Sequence, residues 1–377
     1  MILVLKPNID LDSREYKRIE NHLKNYPNIE VQPFRFQGTE KLLTELHLIG
    51  NTQALSLDEI RSFPGVDHAV RVSEQYRLLG RHKDDPRPSH FEYNGVTFGQ
   101  DNLNIFAGLC AVDSRDSVES MMLALQEHGQ VCTRMGAYKP RTSPYSFQGH
   151  GPNCLPYVFE LAGKYGIRVI AMEVTHESHV DEIKEALDAT GNATGVMLQI
   201  GTRNTQNFEL LKSVGRQQEF PVLLKRGFGI TLDESLHAAE YLASEGNQKV
   251  IFGLRGMKTN IGDPHRNMVD FAHVPVVKRL TRMPVCIDPS HSVGSRSRSS
   301  DNILDILHVT AQGIIAGANM VLVDFHPDPS VALVDGPQAL RMNELPVFLE
   351  DVRIVRAAYD ARTRIARGSA SATTPGS

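Results

Sequence analysis

The chain has several short apolar runs that end in side chains able to do chemistry. Cys110 closes NIFAGLC, Arg134 lies in VCTRMG, and Glu173 sits near the end of VIAMEV. Arg203 follows VMLQIG, Lys225 and Arg226 close VLLKRG, and Arg255 closes VIFGLRG. Asp288 and His291 lie in VCIDPSHS, and Asp324 and His326 in VLVDFHP. Five or six cations converge here: Arg134, Lys139, Arg203, Lys225 and Arg255, with Arg141 as the sixth. Burying that much positive charge without a partner is prohibitive, so an anionic ligand is expected. Arginine forks around phosphate and carboxylate, while lysine supplies a compact charge. The ligand class this implies is a phosphorylated carboxylic acid.

A second constellation is Cys110, His291, Asp324 and Asp335. One sulfur, one nitrogen and two carboxylates form a donor set for a divalent transition metal such as Mn, Fe, Co or Zn. Each member also has a plainer reading. Cys110 taken alone is more often a small buried hydrophobe, and His326 either joins the site or caps its loop. The run KPRTSPYSFQGHG adds the hydroxyls of Thr142, Ser143 and Ser146. Pro140 and Pro144 fix its shape, which suits a preformed subsite for a second phosphate or for sugar hydroxyls.

The elements that position these groups follow from the spacing. The apolar runs recur every 26 to 38 residues, with amphipathic stretches between them. Eight strands alternating with helices predict a parallel sheet closed into a (β/α)8 TIM barrel, which places active sites at the C-terminal strand ends. An open doubly wound sheet would carry a Gly-rich turn after its first strand, and GLCAVDS lacks one. Residues 1–82 read as βαββαβ, a small ferredoxin-like α+β domain of regulatory type. Residues 83–100 read as a linker with a short hairpin, 101–362 as the catalytic barrel, and 363–377 as a disordered tail.

Composition excludes several classes. The net charge of −4 gives no basic footprint for nucleic acid or anionic lipid. No apolar stretch nears the roughly 20 residues that span a bilayer, and MILVLKPNID does not read as a signal peptide. The four cysteines form no CxxC pair, so a reducing cytoplasm without disulfides is expected.

GLCAVDS, RMGAYKPRTSPYSFQG, LQIGTRNTQNFELLKSVG, PVLLKRG and DPSHS resemble the type I 3-deoxy-D-arabino-heptulosonate 7-phosphate (DAHP) synthases, which open the shikimate pathway of aromatic amino acid biosynthesis. The subgroup with an N-terminal ferredoxin-like domain is the nearest match, and the resemblance covers roughly residues 1 to 360. It implies condensation of phosphoenolpyruvate with an aldose phosphate. KPRTS favours erythrose 4-phosphate, because the related octulosonate synthases usually carry an Asn-containing run there. On this resemblance Arg134, Lys139 and Lys225 hold the phosphoenolpyruvate carboxylate. Arg203 and Arg255 hold its phosphate, with Gly201 and Thr202 nearby, and Arg141 and Thr142 bind the aldose phosphate. Cys110, His291, Asp324 and Asp335 fall on the metal-ligand positions. Lys139, Glu173 and His291 count as catalytic, with proton transfer assigned to Lys139, Glu173 or a water on the metal. A homotetramer or dimer is implied.

The chain also departs from the family pattern. Leu109 replaces a proline, Met135 a glycine and Asp324 a glutamate. SVGSRSRSSDN and KTNIGDPHRN differ from the usual loops. These departures leave two alternatives: a homologue of secondary metabolism that uses another aldehyde, and a weakly active paralogue that binds ligand.

Overall fold

The computed structural model describes residues 1–37, 42–70, 76–82 and 86–372, and the chain divides into two units, Met1–Arg87 and Pro88–Ser377. In the first unit the order is β1 (Ile2–Leu5), α1 (Arg14–Leu23), β2 (Ile29–Gln37), β3 (Leu42–Gly50), α2 (Leu57–Arg61) and β4 (Val66–Val70). The antiparallel sheet runs β2-β3-β1-β4, the ferredoxin-like arrangement. Alternation along β3 buries Leu46 and Leu48 against Leu3, Leu5, Ile19 and Ile60, and turns His47 and Ile49 to the other face. Ser13 and Ser56 start the two helices by accepting from the N–H groups of Tyr16 and Glu59. β2 is an outer strand with Pro33 near its middle.

The second unit opens with a hairpin, β5 (Phe91–Tyr93) and β6 (Val96–Phe98). Asn94 and Gly95 turn it with φ of 45° and 72°, the left-handed pair a two-residue hairpin needs. The short hairpin expected within residues 83–100 is present, but it is not a free linker. Instead Val96 and Phe98 pack under the barrel against Phe106, Val169, Met197 and Ile251, with Phe91 and Tyr93 beside them. The physical reason is that apolar side chains fill the open N-terminal end of the barrel. Polar contacts fix the plug: Val196 N–H donates to the Tyr93 hydroxyl at 3.0 Å, and the Asn94 amide donates to Arg168 O at 2.7 Å.

Eight parallel strands follow: β7 (Asn104–Leu109), β8 (Cys132–Met135), β9 (Val169–Val174), β10 (Gly195–Ile200), β11 (Val222–Lys225), β12 (Val250–Leu254), β13 (Val285–Ile287) and β14 (Met320–His326). Each pairs with the next, and β14 pairs with β7, so the sheet closes. The strands are buried along nearly their whole length, as in any barrel wrapped by helices. The helices between them are α3 (Arg115–Glu127), α4 (Leu155–Lys164), α5 (Ser178–Ala189), α6 (Phe208–Arg216), α7 (Leu232–Ser244), α8 (Val274–Leu280), α9 (Pro289–Val293) and α10 (Asp305–Ile315). A short strand β15 (Leu340–Arg341) and α11 (Leu345–Ala372) complete the chain.

The expectation of a disordered tail from 363 is corrected over residues 363–372, which are helical. α11 continues to Ala372, and residues 373–377 lie outside the described residues. Alanine and arginine are strong helix formers, and they extend a helix already anchored by the Arg362 guanidinium on Ile315 O at 2.8 Å. No described helix is long and apolar enough to cross a membrane.

Candidate active site

A cavity of about 240 Å³ opens at the C-terminal strand ends. It is lined by Lys139, Arg141, Thr142, Glu173, Gly201, Thr202, Arg203, Lys225, Arg255, His291 and Asp335 from the sequence-derived set. Arg134, Cys110 and Asp324 are buried and not part of this lining. Gly201 is there for space. A Cβ on it would lie 1.9 Å from the Glu173 carboxylate, which fills that volume.

The expectation that the buried cations all await an anion is corrected by the structure. Arg134 pairs with Asp324 at 2.6 Å, Lys225 with Asp288 at 2.6 Å and Lys139 with Glu173 at 3.7 Å. Arg226 is held by Asp270 at 3.1 Å, away from the cavity lining. These charges satisfy the rule that buried ions are paired by using the protein's own carboxylates. Burial works against the charge on Lys139, but Cys110 and Glu173 outweigh it and hold its pKa above the usual value.

Arg255 is different. It is 2% exposed, and among the described residues its Nε and Nη1 have no hydrogen-bond partner. Desolvation, opposed mainly by Asp288, brings its pKa down to about 10. Such a guanidinium calls for an anion. Arg255, Arg203 and Lys258 approach the ring of Phe228 at 4.8, 5.4 and 5.8 Å, so one aromatic ring gathers three like charges. Arg203 also donates to Thr142 Oγ1 at 3.2 Å, linking the β10 end to the KPRTS loop.

Beneath the cavity, one donor atom from each of Cys110, His291, Asp324 and Asp335 lies within 4.8 Å of the others. Cys110 Sγ is 3.1 Å from Asp335 Oδ2 and 3.8 Å from His291 Nε2, and His291 Nε2 is 3.3 Å from Asp335. Asp288 meets His291 Nδ1 at 3.0 Å, which orients the ring and turns Nε2 toward Cys110 and Asp335. Burial alone would strip the proton from this imidazole. Asp288, Asp324 and Cys110 reverse that and push its pKa up to about 10. Burial disfavours the Asp335 carboxylate, yet His291 and Lys139 hold its pKa far below the usual range. A thiol, an imidazole and two carboxylates at these separations suit a divalent transition metal better than calcium or magnesium, which prefer oxygen alone.

Sequence reasoning missed Phe228, Arg266 and Gln338. Arg266 lines the cavity from the unfamiliar KTNIGDPHRN loop. Gln338 is 1% exposed and donates to Asp324 Oδ2 at 2.6 Å. His326, left open above, pairs with Asp113 at 2.5 Å and accepts from Asp328 N, so it caps its loop. The departures Leu109 and Met135 are direct neighbours across β7 and β8, and both are fully buried.

A closed barrel whose mouth collects cations beside a sulfur, nitrogen and oxygen donor cluster defines the class of anion-binding barrel enzymes competent to hold a metal. Over residues 74–358 the chain matches the DAHP synthetase I family, and it belongs to that family. It is 35% identical over 361 residues to the phospho-2-dehydro-3-deoxyheptonate aldolase of Thermotoga maritima, covering 96% of this chain and 98% of that one. The crystal structure of a Thermotoga maritima protein of that name aligns with a TM-score of 0.67 at 34% identity, over 96% and 97% of the two chains. A 2-dehydro-3-deoxyphosphooctonate aldolase of Syntrophobacter fumaroxidans is 28% identical over 288 residues, 72% of this chain and 95% of that one.

Proposed function

We propose that the protein condenses phosphoenolpyruvate with erythrose 4-phosphate to give DAHP and phosphate, the first step of the shikimate pathway. The observation that carries this reading is the polarity of the cavity. Lys139 and Lys225 in its lining, and Arg134 beneath it, already have carboxylate partners, whereas among the described residues Arg255 Nε and Nη1 have no hydrogen-bond partner. A ligand with a carboxylate and a phosphate is therefore oriented by charge demand. The phosphate goes to Arg255 and Arg203 beside Gly201 and Thr202, and the carboxylate to Lys139 and Lys225 above Arg134. Arg141 and Thr142 take the phosphate of the aldose.

Cys110, His291, Asp324 and Asp335 would hold a divalent ion (Mn, Fe, Co or Zn), which when bound supplies Lewis acidity toward the aldehyde oxygen. The remaining work belongs to the chain. The cations hold donor and acceptor in register, so C3 of phosphoenolpyruvate forms its bond to the aldehyde carbon without a search. Lys139, kept charged, gives a proton to the oxygen of that carbonyl. Glu173 takes a proton from the water that adds to C2. Phosphate then leaves with its bridging oxygen as the C2–O bond breaks, the C2 hydroxyl becomes the ketone as its proton passes to the departing phosphate, and Arg255 and Arg203 stabilise the phosphate charge.

The reading includes a homodimer or tetramer in a reducing cytoplasm, which four free, buried cysteines support. It also includes a regulatory role for residues 1–82, tested by activity with excess tyrosine or phenylalanine. The alternative with a different aldehyde is favoured by one feature, the cavity-facing Arg266 on an unfamiliar loop. Both readings are tested together. A panel of aldehydes is mixed with phosphoenolpyruvate and Mn2+, and phosphate release is followed before and after chelation. Preference for erythrose 4-phosphate with loss on chelation is expected. Turnover only with another aldehyde would replace the acceptor, and no turnover with any would leave the weakly active paralogue.

A further inference from the structure

Two of the four candidate metal ligands are held by residues that no step above uses. Asp324 is fully buried, and both its oxygens are engaged: Oδ1 accepts from Arg134 and Oδ2 from the Gln338 amide, each at 2.6 Å. Asp335 lies in a turn with φ of 55°, not on a strand, so no ladder fixes its direction. Its Oδ1 accepts from Arg266 Nη1 at 3.1 Å, while Oδ2 faces Cys110 and His291. The same Arg266 Nη1 donates to Gln338 Oε1 at 2.9 Å. A guanidinium only donates, so Gln338 must offer it the amide oxygen and turn its NH2 to Asp324. Arg266, Gln338 and the two aspartates thus form one connected path. Gly294 makes room for it, because a Cβ there would lie 2.4 Å from Arg266 Cβ.

We propose that Arg266 and Gln338 are positioning residues that set the carboxylates of Asp335 and Asp324 for metal binding. Arg266 aims Asp335 Oδ2 at the cluster by occupying the opposite oxygen. Gln338 transmits the same anchor to Asp324 and fixes the plane of its carboxylate. The inference rests on the reading of Cys110, His291, Asp324 and Asp335 as a metal site.

The test is titration of the metal-free full-length protein with Mn2+ by calorimetry, with paramagnetic resonance of the bound ion as a second readout. Gln338→Leu and Arg266→Gln should each weaken Mn2+ binding by about tenfold or more, the range found when groups behind metal ligands are removed, and alter the resonance of bound Mn2+. The melting midpoint of Arg266→Gln should hardly move, since the Arg266 side chain is 39% exposed. If Gln338→Leu does not fold, Arg266→Gln decides alone. Arg266→Lys should not restore affinity, because an ammonium lacks the planar fork, and restoration by lysine would overturn the bridging role. Wild-type protein that binds one Mn2+ with both variants unchanged overturns this proposal and leaves the metal reading standing. Wild-type protein that binds no Mn2+ overturns both.

Discussion

Glycine 201 shows how little tolerance the site has at single atoms. Its missing side chain is the space in which the Glu173 carboxylate lies, 1.9 Å from where a Cβ would stand. Gly201→Ala should leave the fold intact, because the position lines the cavity. It should displace Glu173 and loosen the contact with Lys139. We expect kcat to fall about 100-fold, the lower range for losing a positioned acid or base, with an unchanged melting curve. A variant with normal phosphate release would remove Glu173 from the reaction. The chemistry-bearing residues were readable because they stand at the ends of apolar runs. Their partners were not. Arg134 meets Asp324 across 190 residues and Lys225 meets Asp288 across 63. Sequence alone therefore left the cations looking unpaired, and only closure of the barrel supplies the carboxylates.

Elements decide which loops carry function. Strand positions were legible because each barrel strand is covered by helices outside and packed inside, which demands continuous apolar runs. The loops after β11, β12 and β14 have no such period, and they hold Phe228, Arg266 and Gln338. Phe228 is the clearest case, an ordinary hydrophobe in sequence that lies under three cations in space. Phe228→Leu keeps most of the volume and removes the ring. Each cation–π contact at such a site is worth about 0.5–1 kcal/mol. We therefore expect KM for phosphoenolpyruvate to rise by about tenfold with a smaller change in kcat, and steady-state kinetics will check it. The hairpin β5–β6 offers a stability counterpart. Tyr93→Phe removes the acceptor for the Val196 N–H and leaves that donor unpaired. The expected cost is about 1–3 kcal/mol, read from denaturant unfolding, with activity unchanged.

At the scale of the molecule, each unit has its own core. Leu3, Leu5, Ile19, Leu46 and Ile60 close the first unit, and the barrel interior and its plugging hairpin close the second. Residues 88–377 should therefore fold alone, with a cooperative melt and retained phosphate release. Loss of both would show that the first unit is required for the barrel to fold. The change in rhythm near residue 100 marked where the barrel begins and a short hairpin was legible before it, while its packing under the barrel was not, because that depends on side chains brought together only by closure of the sheet.

Pro33 has a consequence for how copies of the chain meet. It sits in the outer strand β2, where a proline presents no N–H to an incoming strand. Sheet-to-sheet growth along that edge is blocked at its centre. The domain is thereby guarded against runaway fibre-like stacking, and association through this unit must use side-chain faces or the short opposite edge.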